Sequence, residues 1–389
     1  MVRPTHASVD LDALVANYHA VEHQLFTSGV NPAPRIIAVI KANAYGHGAT
    51  RVGLALERAA SSGIGSAPIL ACADIEEGIE LRQAGIASQI LIFGALGVSE
   101  LAGVFDHNLT PTVSSPSAAQ ALELAAASRG VRLGVHLKID TGMHRFGFRY
   151  DNLGATLPPV VQATHLDIEA VYTHFATAER DECGLFNAQI SRFERVRTDA
   201  QELGLDNVLW HAANSAALLR DHRTWYDAVR PGLLLYGVVP PPIETELVLR
   251  PAMSLRSRLV AVKGLRPGET AGYGACFVAR RPMRVAVVPA GYADGLDLRL
   301  ASRGSVLVGG RRAPIVTVSM DSMTIDVTDL PVNPGDDVVV LGRQGDRAIE
   351  VTDIATAINT VPHEILCRIG TRIERTYVQT IGGGQKSDA

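Results

Sequence analysis

The sequence has 389 residues, of which 47% are hydrophobic, and its 36 basic and 40 acidic residues give a formal net charge of −4. This length predicts two domains, or one barrel with an additional module, and the hydrophobic share is large enough for a substantial core. The nearly balanced charge, without a long basic run, argues against nucleic-acid binding.

The N-terminus and the cysteines bear on cellular location. No stretch of about 20 uninterrupted apolar residues is present, so no membrane span is expected. The first residues lack the apolar core of a signal peptide. Four widely spaced cysteines without a CxxC pair suggest the reducing cytoplasm. The twelve histidines lack metal-ligand spacing such as HxxxH, so no metal site is expected.

The N-terminal part of the chain alternates between short apolar runs and helical patterns. The apolar runs are near-continuous, as in strands that are buried on both faces. Between them, stretches such as ATRVGLALERAA repeat apolar residues at helical spacing. Strands that alternate with helices in this way predict a (β/α)8 TIM-like barrel. The eight predicted strands are RIIAVIK, ILACAD, QILIFG, LTPTV, RLGVHLKID, DIEAVYTHF, NVLWHAAN and AVRPGLLLYG.

After the proline cluster at 240–242, the pattern changes to that of a β-rich domain. Runs such as SLRSRLVAV, MRVAVVPA and IVTVSMDSMTIDV alternate or are continuously apolar, and glycine and proline turns separate them. We therefore expect residues 1–242 to form the barrel, 243–378 a β-rich domain and 379–389 a flexible tail. Residues 1–10 are also candidates for pairing with the second domain.

Polar residues collect where the predicted barrel strands end, which is where active sites of such barrels form. Lys41 ends the first barrel strand, and Lys138 lies near the end of the fifth. The alternative for Lys41 is a lysine that simply reaches solvent. The only other lysines are Lys263, in a predicted turn, and Lys386, in the tail. The same rim receives His174, His211, Asn214, Ser215 and Arg230.

Eight segments occur in the order that is found in one known family. The sequence resembles bacterial alanine racemase, a pyridoxal 5'-phosphate (PLP) enzyme, over nearly its whole length. The resemblance implies a barrel followed by a β domain, a homodimer with a shared active site, and interconversion of L- and D-alanine for peptidoglycan precursors. The segments are VIKANAYGHG, KIDTGMHRFGF, YTHFATAE, HAANSAA, VRPGLLLYG, GYG, GYADG and SMDSM.

The resemblance implies that Lys41 carries PLP as a Schiff base. Racemisation removes the α-proton on one face of the substrate and returns a proton on the other, which two acid–base groups achieve most simply. The resemblance makes Lys41 one of these groups and Tyr273 the other, with Tyr273 reaching in from the second subunit. The alternative for Tyr273 is an ordinary tyrosine in a β-domain loop.

Arg230 resembles the residue that contacts the pyridine nitrogen of PLP. Because arginine only donates hydrogen bonds, the nitrogen would have to accept and stay unprotonated, which should disfavour transamination. His211 would hold Arg230 in place, and His174 would lie near the ring. The alternatives are a salt bridge at the barrel rim for Arg230 and a core histidine for His174.

The remaining candidates bind the phosphate and the substrate. Arg145 would bind the substrate carboxylate, with help from the Met320 backbone. Lys138 is often carbamylated in the family, and a carbamate would orient Arg145; an unmodified lysine is the alternative. The phosphate candidates are Ser215, the Tyr45 hydroxyl and the backbone N–H groups of Gly232 and Leu233.

Two positions depart from the family pattern. Ser319 replaces a cysteine, which is a mild change, and Thr371 stands where many members have a tyrosine that contacts the phosphate and guards the entrance. A racemase of serine or of a broader amino-acid range therefore remains open. A decarboxylase of similar fold is disfavoured because those enzymes place an acidic residue, not Arg230, against the ring nitrogen. A PLP-binding protein without turnover is disfavoured by the second domain and Tyr273.

Overall fold

The computed structural model describes residues 3–60, 68–95, 101–381 and 384–388. The described chain forms two large sheets, one closed into a barrel and one open. It starts with strand β1 (His6–Asp10), which belongs to the open sheet. None of the helices in these ranges is long and apolar enough to cross a membrane.

Eight parallel strands form the barrel, in agreement with the sequence prediction. These strands are β2 (Arg35–Val39), β3 (Ile69–Cys72), β4 (Ile90–Ile92), β5 (Thr110–Val113), β6 (Leu133–Asp140), β8 (Leu166–Tyr172), β9 (Leu209–Asn214) and β10 (Ala228–Arg230). The order is β5-β4-β3-β2-β10-β9-β8-β6, and pairing of β5 with β6 closes the ring. A two-residue strand, β7 (Phe148–Arg149), pairs with β6 beside the ring.

Helices follow the barrel strands, and polar caps set several of their first turns. Asp10, Asp74 and Ser115 each accept a hydrogen bond from a backbone N–H three residues later. The helices are α1 (Leu11–Thr27), α2 (Lys41–Tyr45), α3 (Ala49–Ala60), α4 (Ile75–Gln83), α5 (Ala102–Asp106), α6 (Pro116–Arg129), α7 (Leu153–Thr156), α8 (Pro158–Val161), α9 (Leu185–Glu202) and α10 (Ser215–Arg220). Short 3₁₀ segments lie at His222–Thr224 and Leu233–Tyr236.

The second sheet contains β1 and most of the later strands. The later strands are β11 (Met253–Arg258), β12 (Ala261–Leu265), β13 (Thr270–Ala271), β14 (Phe277–Val278), β15 (Met283–Val288), β16 (Ser305–Val308), β17 (Arg311–Val318), β18 (Met323–Asp326), β19 (Asp337–Gln344), β20 (Arg347–Ile349), β21 (Glu374–Ile381) and β22 (Gly384–Asp388). Strands β13 and β14 pair apart from it, and 3₁₀ segments occur at Tyr273–Ala275, Tyr292–Asp294 and Leu298–Leu300. Two helices also belong to this part of the chain, α11 (Val351–Ala357) and α12 (Pro362–Arg368).

The two ends of the chain meet in this open sheet. Strand β1 lies between β11, to which it is antiparallel, and β21, to which it is parallel. Strand β22 pairs with β21 in an antiparallel arrangement, and the flexible tail from residue 379 stays a prediction. The unpaired edge of a strand can accept an extended chain of almost any composition. The domain boundary at residue 242 stays a prediction.

Candidate active site

The predicted site residues surround one cavity at the carboxyl ends of the barrel strands. The cavity has a volume of about 250 Å³ and also receives His363, from α12 of the second domain. Nine predicted residues line it: Lys41, Tyr45, Lys138, Arg145, His174, Ser215, Arg230, Gly232 and Leu233. His211 lies behind this layer, where its Nδ1 accepts a hydrogen bond from Arg230.

A second cavity, of about 920 Å³, is larger but lies elsewhere. It is bounded by Tyr236 and Gly237 on the barrel side and by β11 and β19 on the side of the open sheet. Its lining contains none of the predicted site residues. We therefore assign the chemistry to the smaller cavity, where lysine and arginine side chains converge.

The segment α2, which begins at Lys41, is a left-handed turn. Residues 42 to 45 have φ angles of 53°, 53°, 54° and 49°, although none of them is glycine. This conformation costs roughly 1–2 kcal/mol per residue for L-amino acids, and such strain is concentrated at functional sites. The turn ends the first barrel strand sharply, so the side chain of Lys41 lies at the cavity.

Contacts from distant parts of the chain stabilise this turn. Glu77, on α4, accepts hydrogen bonds from the backbone N–H of Ala42 at 2.6 Å and of Ala73 at 2.7 Å. The buried His47 ring lies within hydrogen-bond distance, through Nδ1, of the Ala44 and Tyr45 carbonyls. Neither contact was predictable from the sequence, because a helix carboxylate such as Glu77 and a motif histidine such as His47 have no spacing that reveals their partners.

The two glycines of AYGHG allow the second domain to approach the turn. A Cβ atom on Gly46 would lie 2.4 Å from the Leu366 carbonyl oxygen, and one on Gly48 would lie 1.9 Å from the Tyr377 hydroxyl. Both glycines also have positive φ angles. Arg375, on β21, donates to the Gly46 carbonyl at 2.6 Å. The motif therefore provides the space that the domain contact requires.

The cavity contains more positive than negative charge. Burial lowers the pKa of the Lys41 ammonium, and the Arg145 guanidinium adds to this effect. Burial, followed by Arg145 and Arg230, lowers the pKa of Lys138 to about 7. Among the described lining residues, Glu179 is the only carboxylate. Such a surface favours an anionic ligand.

Arg230 is a buried cation whose described partners are all uncharged. It donates to His211 Nδ1 at 2.9 Å, to the carbonyls of Thr173 and Ala212 at 2.8 Å each, and towards His174 Nδ1 at 3.3 Å. Burial lowers its pKa to about 10, so the guanidinium stays charged at neutral pH. Burial and the Arg230 charge hold the pKa of each histidine well below its usual value, so both rings are neutral.

The Ser215 hydroxyl and the backbone of Gly232 face each other on another wall of the cavity. Asn214 caps α10 by accepting from Ala217 N–H, which orients the first residue, Ser215. Ser215 Oγ accepts from Gly232 N–H at 2.8 Å. A Cβ atom on Gly232 would lie 2.7 Å from the Tyr45 hydroxyl, so only glycine leaves this space open. Burial raises the pKa of Tyr45, which therefore remains a hydrogen-bond donor.

The second domain contributes one cavity residue that the sequence analysis missed. The His363 ring packs edge-on against Tyr45, with 5.5 Å between ring centroids. Burial, with a smaller contribution from Lys41, lowers the pKa of His363 to about 4. Thr371, the predicted departure at the entrance, is exposed and does not line the cavity.

Tyr273 and Met320 are not brought to the cavity of their own chain. Tyr273 is 87% exposed and Met320 is 56% exposed. The segments that carry them are close, because a Cβ atom on Gly272 would lie 2.7 Å from Thr317 Cγ2 on β17. Both residues are thus exposed, on neighbouring segments of the second domain.

Comparisons with known proteins agree along almost the whole chain. The family model "Alanine racemase, N-terminal domain" matches residues 9–240, and "Alanine racemase, C-terminal domain" matches residues 252–377. A curated alanine racemase of Carboxydothermus hydrogenoformans is 39% identical over 97% of this chain and 100% of its own length. One of Symbiobacterium thermophilum is 37% identical over 97% of each chain.

Solved structures of alanine racemases are also similar to this chain. The alanine racemase from D-cycloserine-producing Streptomyces lavendulae superposes with a TM-score of 0.90 at 32% identity, covering 98% of each chain. The alanine racemase of Bacillus anthracis with bound L-Ala-P has a TM-score of 0.87 at 32% identity, covering 100% of this chain and 98% of its own.

The contacts of Glu77 predict a measurable stabilisation of the turn after Lys41. Glu77→Ala removes the acceptor of two backbone N–H groups, so we expect the free energy of unfolding to fall by about 1–3 kcal/mol. Chemical denaturation measures this change. Glu76→Ala, at an exposed position of the same helix, is the control and should change little. Equal effects of the two substitutions would contradict the role of Glu77.

Proposed function

The chain belongs to the alanine racemase family, and we propose that it interconverts L- and D-alanine with PLP bound to Lys41. Family membership makes the protein an amino-acid racemase, which is an isomerase. The observation that carries the proposal is Lys41 itself. This lysine is partly buried, has a lowered pKa and lies in a cavity with three other cationic side chains.

The residues around the cavity fit PLP. A lysine forms a covalent bond to a carbonyl group only when it is neutral, and the lowered pKa of Lys41 increases the neutral fraction. The Tyr45 hydroxyl, Ser215 and the N–H groups of Gly232 and Leu233 are the proposed phosphate donors, and the space at Gly232 supports this assignment. Gly232 N–H, which donates to Ser215 Oγ, would then be shared with the phosphate. When bound, PLP withdraws electrons from the α-carbon of an amino acid.

Two residues of the protein would move the α-proton. Lys41 would take or return it on one face, and Tyr273 of the partner subunit would do so on the other. The exposure of Tyr273 and Met320, on neighbouring segments, supports a contribution from a second copy of the chain. Because neither residue lines the cavity of its own subunit, the site would be complete only in a homodimer.

Arg230 would donate to the pyridine nitrogen of PLP. Its four hydrogen bonds to neutral groups fix the guanidinium without a carboxylate that would cancel its charge. A donor-only partner would leave the ring nitrogen unprotonated. Arg230 would thereby moderate the electron withdrawal that PLP supplies, which would favour return of the proton to the α-carbon. His211 and His174 support Arg230 as neutral acceptors.

Arg145 would bind the substrate carboxylate with the Met320 backbone of the second subunit, and Lys138 would orient Arg145 as a carbamate. Lys138 is 5% exposed, and its side-chain ammonium makes no hydrogen bond or ion pair to another described residue. Its Nζ lies 3.7 Å from the centre of the Phe146 ring. Since only a neutral amine can add carbon dioxide, a pKa of about 7 supports the modification. The carbamate would replace a crowded cation with an anion.

We further assign the reaction to the cytoplasm, where D-alanine would serve as a peptidoglycan precursor. All four cysteines are free, which suits a reducing compartment. Neither the location nor the use of the product affects the assignment of the site residues.

Lys41→Ala tests the proposed function most simply. We expect loss of the visible absorbance of bound PLP and loss of racemisation of L-alanine, measured by chiral chromatography. Borohydride reduction of the unmutated enzyme, followed by peptide mapping, should find the cofactor on Lys41. Lys263→Ala, at an exposed position, should leave both properties unchanged. A reducible adduct on another lysine would overturn the assignment.

The carbamate predicts a carbon signal that depends on one lysine. Native protein in ¹³C-bicarbonate should show a carbamate resonance, formed when the Lys138 amine adds carbon dioxide and releases a proton. Lys138→Ala should lose the resonance and bind alanine more weakly, with partial rescue by chloride. Lys263→Ala should keep it. An active enzyme without the resonance, or a resonance that survives Lys138→Ala, would contradict the modification.

The shared site predicts complementation between two inactive variants. Lys41→Ala and Tyr273→Phe should each be nearly inactive. After subunit exchange, one site of each mixed dimer would have an intact Lys41 from one chain and an intact Tyr273 from the other. Activity should therefore return, approaching one working site per mixed dimer.

Mass-tagged chains would confirm that the subunits have exchanged. If both residues came from the same chain, every site would lack one of them and mixing would restore nothing. Confirmed mixed dimers without recovered activity would therefore reject the shared site.

A further inference from the structure

A line of polar side chains runs from Arg230 through His211 into the barrel, away from the cavity. His211 Nε2 lies 3.2 Å from His136 Nδ1, and both rings are fully buried. His136 Nε2 in turn lies 3.9 Å from a Glu169 carboxylate oxygen. Gln89 donates to the same carboxylate oxygen at 2.6 Å. None of the residues below His211 lines the cavity.

The donors and acceptors determine where each proton in this line resides. Arg230 only donates, so His211 Nδ1 must accept and the neutral His211 ring carries its proton on Nε2. That N–H donates to His136 Nδ1, so His136 carries its own proton on Nε2. Burial, with a further contribution from Arg230, lowers the pKa of His136 to about 3, which keeps this ring neutral as well.

At the far end of the line, strand β6 leaves space for the Glu169 carboxylate. A Cβ atom on Gly134 would lie 2.2 Å from Glu169 Oε1, so the strand leaves space for this side chain only because residue 134 is glycine. His136 Nε2 is buried and has no hydrogen-bond partner among the described residues. The 3.9 Å separation is too long for a hydrogen bond, but the carboxylate oxygen still attracts the N–H.

The plane of the His211 ring is also fixed. Tyr172 stacks on it, with 4.7 Å between centroids and 8° between planes, and the Tyr172 hydroxyl lies 3.0 Å from the Thr112 hydroxyl. His211 therefore cannot turn away if its tautomer changes. A proton on Nδ1 would face the N–H of Arg230, and two donors would then point at each other.

We propose that His136 is a positioning residue. By accepting from His211 Nε2–H it stabilises, together with Arg230 on the other side of the ring, the His211 tautomer that holds Arg230 in its orientation. Glu169 favours the required tautomer of His136. The groups that face His136 are His211 on β9, Arg230 on β10, Glu169 on β8 and Arg35 at the start of β2. The catalytic part of this proposal rests on the proposed function. The tautomers themselves do not.

Two substitutions separate the hydrogen bond from the volume of the side chain. In His136→Asn, the amide oxygen can occupy the place of Nδ1 and continue to accept from His211. In His136→Leu, the acceptor is lost and a buried N–H has no partner. We expect His136→Leu to lower kcat about tenfold with KM for alanine nearly unchanged, and to raise the share of pyruvate formed by transamination. His136→Asn should restore most of kcat.

The decisive measurement is ¹⁵N NMR of histidine-labelled full-length protein, first without and then with cofactor. In unmutated protein and in His136→Asn, His211 should have a protonated Nε2 and an unprotonated Nδ1. In His136→Leu, where only Arg230 still favours the native tautomer, Nδ1 should become protonated in part. His23→Asn, at an exposed position of α1, is the control and should change neither the spectrum of His211 nor kcat.

The outcomes distinguish this inference from the proposed function. Protonation of His211 on Nδ1 in the unmutated protein overturns the inference, and this result needs no variant to fold. A folded His136→Leu with the unmutated tautomer and pyruvate share also overturns it. If the tautomers are as expected but no racemisation occurs in the unmutated protein, the proposed function fails and the hydrogen-bond line stands.

Discussion

The candidate active site depends on a buried guanidinium that has no described carboxylate beside it. Arg230 is held by carbonyl oxygens and by neutral ring nitrogens. A buried charge without such hydrogen bonds would be strongly unfavourable. The positive charge is therefore preserved for whatever occupies the cavity, and it also keeps the histidines beside it neutral. A carboxylate beside Arg230 would cancel its positive charge and would raise the pKa of the neighbouring histidines.

The second large constraint is the left-handed turn after Lys41, which links the two parts of the chain. Gly46 and Gly48 let α12 and β21 approach it, and Arg375 donates to its last carbonyl. The same approach brings His363 against Tyr45 at the cavity wall. The second domain therefore supports the lysine and completes the pocket of its own chain, while its exposed face carries the residues proposed for a neighbouring copy.

The sequence predicts the barrel well because its strands are short apolar runs with polar residues at their ends. Lys41, Lys138 and Arg230 all lie at the predicted rim for this reason. Contacts between distant segments were not predictable from these patterns. Glu77 bonds to a backbone 35 residues away, and a single carboxylate among several on one helix has no distinguishing spacing. His136 lies within an apolar strand pattern, where its role appears only once its neighbours are known.

The central claim is that Arg230 donates to the cofactor ring and leaves its nitrogen unprotonated. The most direct measurement is the ¹⁵N chemical shift of ring-labelled PLP bound to the unmutated enzyme at neutral pH. We expect the shift of an unprotonated pyridine nitrogen that accepts a hydrogen bond. A shift typical of a protonated pyridinium would contradict it, because Arg230 could then not be the donor at that position.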